Sequence, residues 1–159
     1  MRDAFVSMAE EWHAHGDDRY ANARRDFAGY LTQLERFQHA DQLPIGWVPG
    51  AEFWLEHTTQ IVACIRLRFW LNSSLEAEGG HVGYDVRPSA RGRGFGTAAL
   101  GLLLPEARQR GIDRLLVTVD ADNLPSIRII EKYAGAPSAE IVSARTGKPI
   151  KRYWIDVPR

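Results

Sequence analysis

The sequence predicts a single mixed α/β domain. Three observations carry this reading. The chain has 159 residues, about the size of one domain. Its apolar residues recur at helical spacing in some stretches and alternate in others. These stretches follow one another as helix, strand, strand, strand, helix, strand, helix, strand, strand, without an internal repeat or a low-complexity linker.

Each element has its own signal. Residues 17–38 read as a helix, with Asp17 or Asp18 as its cap. Tyr20, Phe27, Leu31, Leu34 and Phe37 form its apolar stripe. Pro44, Gly46, Pro49 and Gly50 then mark a loop. AEFWLEH and IVACIRLRFWL read as two strands joined by a short turn. Ile65, Leu67 and Phe69 alternate there with Arg66, Arg68 and Trp70, so one face is buried and the other partly wet. NSSLEAEGG is a loop and HVGYDVR a third strand, stopped by Pro88. Residues 96–110 form a helix that Pro105 kinks without breaking, because the carbonyl its ring presses on belongs to Gly101. DRLLVTVD is apolar on both faces, as in a buried parallel strand. LPSIRIIEKYAG is a helix with Pro125 in its first turn and Gly135 near its end. AEIVSA and IKRYWIDV close the chain as a hairpin.

Composition excludes several classes. Lys plus Arg and Asp plus Glu each number 20, giving zero net charge. A generally basic nucleic-acid binder would differ. Cys64 is the single cysteine, so neither an internal disulfide nor a cysteine metal cluster can form, and it reads as a small buried residue. The histidines have no metal-ligand spacing with carboxylates, so no metal is expected. The acid-bearing N-terminus does not read as a signal peptide. The longest apolar run, AALGLLL, is too short to span a membrane, and the cytoplasm is the default expectation.

The richest local signal is RPSARGRGFG, residues 87–96. It lies between a strand and a helix. The first N–H groups of a helix lack internal partners, and the dipole adds positive charge there. Glycines let a phosphate approach the backbone. Strand, glycine-rich loop and helix together make a pyrophosphate site, and Arg91 and Arg93 add forked donors. Two other readings are a plain surface loop and a dinucleotide turn. GFGTAA fits G-x-G-x-x-A, and Asp120 follows where a ribose-binding acid would stand. Against the dinucleotide turn, six residues separate the strand from the fingerprint, and too little chain remains for a second nucleotide half.

R-x-x-G-x-G, with Arg91, Gly94 and Gly96, fits better. It resembles the acetyl-CoA loop of the GNAT family of N-acetyltransferases. The preceding GYDVRP and the later DADNLPS with IIEKYAGA resemble that family's flanking regions, so the likeness covers about residues 79–136 and continues into the closing hairpin. It looks closest to a poorly characterised bacterial branch. The resemblance implies a GNAT-like α/β domain over residues 1–159, with a central mixed sheet flanked by helices and strands 81–87 and 113–120 splayed apart. Carried over residue by residue, Asp85, Val86 and Arg87 would offer backbone groups to the pantetheine arm. Arg91, Gly92, Arg93, Gly94, Phe95, Gly96 and Thr97 would hold the pyrophosphate. Asn123 would touch the arm and Ser126 would lie beside the thioester. Asn123 equally suits a helix cap, Val86 the core and Arg87 a solvated face.

Acetyl transfer moves two protons: the amine must lose one, and the departing thiolate is protonated or stabilised. Many family members carry a tyrosine seven residues after the asparagine; here that residue is Ile130. Tyr133 and Ser126 are the candidate acids, and His81 and Glu78 the candidate bases. Trp47, Trp54, Trp70, Arg66 and Arg68 are candidates to line an acceptor pocket for an amine carrying a carboxylate, or to serve simply as core and solvated face. The resemblance implies acetyl-CoA-dependent acetyl transfer to a primary amine of a small molecule or peptide by direct attack. The expected partners are acetyl-CoA and the amine, not nucleic acid or a membrane, and a homodimer is allowed. Ile130 keeps open a non-catalytic acyl-CoA-binding module. An NAD(P)-dependent oxidoreductase is the third reading.

Overall fold

The computed structural model describes residues 1–158. The chain forms helices α1 (Arg2–Ala14), α2 (Ala21–Arg25), α3 (Phe27–Phe37), α4 (Ser73–Ala77), α5 (Phe95–Gln109) and α6 (Leu124–Lys132). Its strands are β1 (Gly50–His57), β2 (Gln60–Arg68), β3 (Val82–Val86), β4 (Arg114–Asp120), β5 (Ala136–Pro137), β6 (Ile141–Val142) and β7 (Pro149–Asp156). The α/β class is as expected.

The strands build two antiparallel sheets, β1-β2-β3 and β4-β7-β5, with β6 also on β7. The β4 strand was expected to pair in parallel. Its ladder partner is instead β7, antiparallel from Arg114↔Asp156 to Asp120↔Ile150. It is apolar on both faces because Leu115, Leu116, Val117 and Val119 are all buried. A core of Ala63, Ile65, Leu67, Leu100, Leu103, Leu115 and Ile130 joins the sheets to α5 and α6.

A second core lies under the N-terminal helices. In α1 Phe5, Met8, Ala9 and Trp12 are buried at helical spacing and pack with Tyr20, Ala23, Ile61 and Cys64. Phe5 sits 4.4 Å from Trp54 and 5.3 Å from Tyr20, centroid to centroid. Cys64 is buried, as its apolar run implies.

The helix expected over 17–38 is two helices. Asp26 leaves helical geometry (φ −146°, ψ 90°) and its carboxylate accepts the Gly29 N–H at 2.9 Å, capping α3. Local capping wins over continuation at that residue. The apolar stripe splits with it: Tyr20 and Phe27 join the second core, while Leu31 is exposed. The stretch 72–80 is not all loop, because Asn72 caps α4 through the Leu75 N–H at 2.9 Å. The second strand stops at Arg68, short of Leu71. By contrast α5 runs unbroken through Pro105. No helix among the described residues is long and apolar enough to cross a membrane.

Candidate active site

The site is built on a strand with one unused edge. The Arg87 N–H donates to Val62 O at 2.9 Å, and His81 O accepts from the Arg68 N–H at 2.8 Å, so both ends of β3 reach β2 through odd-numbered residues. In an antiparallel ladder a residue's N–H and C=O point to the same side, and the side alternates. Gly83, Asp85 and Arg87 therefore turn their backbone groups to β2. Tyr84 and Val86 turn theirs the other way. Of the three residues expected to offer backbone groups to a ligand, only Val86 has them on the free edge, which it shares with Tyr84.

The strand β4 does not cover this edge. The two sheets touch near the start of β3, where the His81 N–H donates to Leu116 O at 2.8 Å and the Leu116 N–H donates to His81 Nδ1 at 2.9 Å. Beyond that point the strands diverge into separate sheets. Val86 O accepts only a long bond from Arg91 Nε, at 3.4 Å.

The loop after β3 is anchored from α1. Glu11 accepts from Arg87 Nε at 2.5 Å, from the Ser89 N–H at 2.6 Å and from Ser89 Oγ at 3.0 Å. Arg87 is thus buried rather than on a solvated face. Burial alone would raise the Glu11 pKa, but the Arg87 and Ser89 donors bring it below the ordinary carboxylate value. Past this anchor Gly92 (φ 74°) and Gly94 (φ 84°) take left-handed backbone, which only glycine adopts without strain. Gly94 is the N-cap of α5, and the first helical bond is Ala98 N–H to Gly94 O at 3.0 Å. The N–H groups of Phe95, Gly96 and Thr97 are left without helical partners. Gly96 serves packing: a Cβ there would lie 2.7 Å from Ile129 Cδ1. Arg91 stacks over Trp12 at 4.9 Å and Arg93 over Phe95 at 5.1 Å.

These parts enclose a groove of about 750 Å³, lined by the loop, Trp12, Tyr84, Val86, Asn123 and Ser126. A smaller cavity of about 260 Å³ lies between β3 and β4, with Glu78, Thr118, Ile130 and Arg145 on its walls. Tyr84, Asn123 and Ser126 line both spaces. Asn123 also caps α6, its side chain accepting the Ser126 N–H at 3.3 Å, as its helix-cap reading expects.

A third cavity, about 530 Å³, lies over the opposite face of β3 and shares Arg19 and Asp85 with the groove. Its floor is an ion network. Asp85 accepts from Arg19, from Arg66 at 2.6 Å and from Tyr20 Oη at 3.1 Å. Glu52 accepts from Arg66 Nε at 2.8 Å, Trp54 Nε1 at 2.8 Å and Tyr30 Oη at 2.6 Å. Burial raises the pKa of both tyrosines, keeping them as neutral donors. Trp47 lines this cavity's exposed rim. Trp70 is half exposed and lines none of these three spaces.

The profile of the acetyltransferase (GNAT) family matches residues 7–136. The chain belongs to the GNAT acetyltransferase family. No curated protein sequence matches it. Solved structures with the same fold include yncA of Salmonella typhimurium with its cofactor acetyl-CoA, 16% identical with a TM-score of 0.66 over 100% of this chain and 91% of that one. The microcin C7 self-immunity acetyltransferase MccE, in complex with acetyl-CoA and AMP, is 12% identical with a TM-score of 0.72, covering 98% of this chain and 87% of its own. Mycobacterium smegmatis RimJ, in complex with CoA-disulfide, is 16% identical with a TM-score of 0.72, covering 98% and 77%.

Within this GNAT domain the four candidate catalytic residues separate. Glu78 and Ser126 line one cavity. Tyr133 does not reach it: its hydroxyl donates to Thr97 O at 2.7 Å and lies against Gly101, where a Cβ would collide with it. The lone pair of His81 that a base would use accepts the Leu116 N–H. Burial, then the charge of Arg68, lowers the His81 pKa to about 4. Ile130 is fully buried on the cavity wall. No group of three His, Cys, Asp or Glu side chains among the described residues stands ready for a metal.

Sequence reasoning missed Tyr84, Trp12, Glu11 and the Glu52–Arg66–Asp85 network. Trp12 had a signal in the helical spacing of Phe5, Met8 and Ala9. Tyr84 had one in its alternation with Val86. The network had none, because sheet register brings Glu52 opposite Arg66 and Cys64 opposite Asp85.

Proposed function

We propose that this GNAT domain is an acetyl-CoA-dependent N-acetyltransferase acting on a primary amine of a small molecule or peptide. The observation that carries this is the continuity of the unused edge of Tyr84 and Val86 with the bared N–H groups of α5. Pyrophosphate fits Phe95, Gly96 and Thr97, with Arg91, Arg93 and the positive end of the helix. Gly92 and Gly94 shape the loop. The pantetheine arm then adds to β3 as a strand would, through Tyr84 and Val86. This puts the thioester at Tyr84, Asn123 and Ser126, where the two spaces meet.

The reaction is direct attack. The amine nitrogen enters from the smaller cavity and forms a bond to the thioester carbonyl carbon. The C–S bond breaks and its electron pair leaves with sulfur. Glu78, which with Asp120 is one of two carboxylates on that cavity's wall, takes the proton the nitrogen sheds. Ser126 donates a hydrogen bond beside the thioester.

The test is calorimetry with acetyl-CoA, CoA and NADH, followed by thiol release across amines of several classes. Acetyl-CoA binding with amine-dependent thiol release supports the reading. Stabilisation by NADH alone would sink it. Binding without turnover on any amine would favour an acyl-CoA-binding module, the second reading that Ile130 at the usual tyrosine position supports.

A further inference from the structure

The hydroxyl of Tyr84 is buried and has no hydrogen-bond partner. Buried polar groups are nearly always paired, so an orphan at a functional site calls for an absent partner. Tyr84 lines both the groove and the smaller cavity. The ring is packed against the core that joins the sheets to α5 and α6. Ser126 stands on the same two walls. Burial raises the phenol's pKa and the neighbouring Ser126 side chain, acting as a donor towards it, lowers it; the net direction is up, so the group keeps its proton at neutral pH. The other aromatic hydroxyl near the site is occupied, since Tyr133 donates to Thr97 O. Ile130 has no proton to give. The Tyr84 hydroxyl therefore holds a proton and has no acceptor within hydrogen-bond geometry, with the Ser126 hydroxyl as its neighbour on the same walls.

We infer that Tyr84 is the general acid of acetyl transfer, protonating the sulfur of departing CoA. The inference rests on the acetyltransferase reading above. As the C–S bond breaks, the sulfur takes the electron pair and the Tyr84 proton, leaving CoA as its free thiol. The phenolate regains a proton from solvent, and Glu78 returns to solvent the one it took from the amine. The proton count closes: amine and acetyl-CoA become amide and CoA thiol. A tyrosine on the strand thus does here what the helix position of Ile130 cannot.

The test uses the full chain, with spermidine, phenethylamine and an N-terminal alanyl peptide as probe amines. Tyr84→Phe keeps the ring and removes the hydroxyl. Acetyl-CoA affinity is expected to stay within threefold, while kcat falls about 100-fold and the alkaline limb of the kcat–pH profile disappears. Replacing Tyr84 with 3-fluorotyrosine keeps the fold and lowers the phenol pKa, so the alkaline limb should move to lower pH. An unchanged limb in the fluorotyrosine protein, or a Tyr84→Phe rate within threefold of the parent, overturns the inference while leaving the acetyltransferase standing. A parent protein that binds acetyl-CoA but releases no thiol with any probe amine overturns both.

Discussion

Glu11 and Arg87 are joined at 2.5 Å across the gap between the first helix and the end of β3, with side chains 17% and 9% exposed. The same carboxylate holds the Ser89 N–H. The first helix is therefore part of the loop's scaffold.

Removing one partner leaves the other charge stranded. Glu11→Ala should cost about 3 kcal/mol of stability, because the Arg87 guanidinium would stay buried without its carboxylate. Urea unfolding measures this directly. Acetyl-CoA affinity should also fall, since residues 87–89 lose their tether. Equal affinity with lowered stability would mean that the loop holds its shape without α1.

The loop glycines give a different signature. A Cβ at Gly94 meets nothing within 4 Å, but φ is 84°. Gly94→Val should therefore lower stability by about 1–2 kcal/mol through backbone strain, keep the fold by circular dichroism, and weaken acetyl-CoA binding at least tenfold in calorimetry. Unchanged affinity would place the pyrophosphate elsewhere.

Stability should depend on pH through His81. Its folded pKa is about 4, below the ordinary 6.5. The unfolded chain then binds more protons between those values, so stability is full above about pH 6.5 and falls as pH drops towards 4. His81→Asn removes the titrating ring and should flatten the urea midpoint across that window. A parent-like slope in the variant would assign the dependence to carboxylates instead.

Tyr133→Phe separates packing from chemistry. It deletes the bond to Thr97 O and should cost about 1 kcal/mol in thermal or urea unfolding. Thiol release should be unchanged. A large loss of turnover at constant acetyl-CoA affinity would restore Tyr133 as an acid.

Much of this was legible along the chain. Strand β3, the stop at Pro88, the glycine loop and the start of α5 follow from local rules about turns, caps and bared N–H groups, and R-x-x-G-x-G with Asn123 and Ser126 points to the family. The helix over 2–14 was not among the expected elements, although Phe5, Met8, Ala9 and Trp12 recur at helical spacing. The break at Asp26 was harder, because a cap and a solvent-facing helical residue look alike in sequence.

The sequence by itself determined the α/β class and a glycine-rich strand–loop–helix junction with the groups that suit a phosphate, since the groups that make such a junction are neighbours in the chain. Only the tertiary structure decided which edge of β3 is free, that Tyr133 and His81 are bound to backbone partners, and that Tyr84 is not. Those outcomes depend on ladder register and on contacts between residues far apart in sequence: Tyr133 meets Thr97, His81 meets Leu116, and Asp85 meets Arg19. A side chain's chemistry is written in its identity, but its availability is set by whatever the fold brings against it.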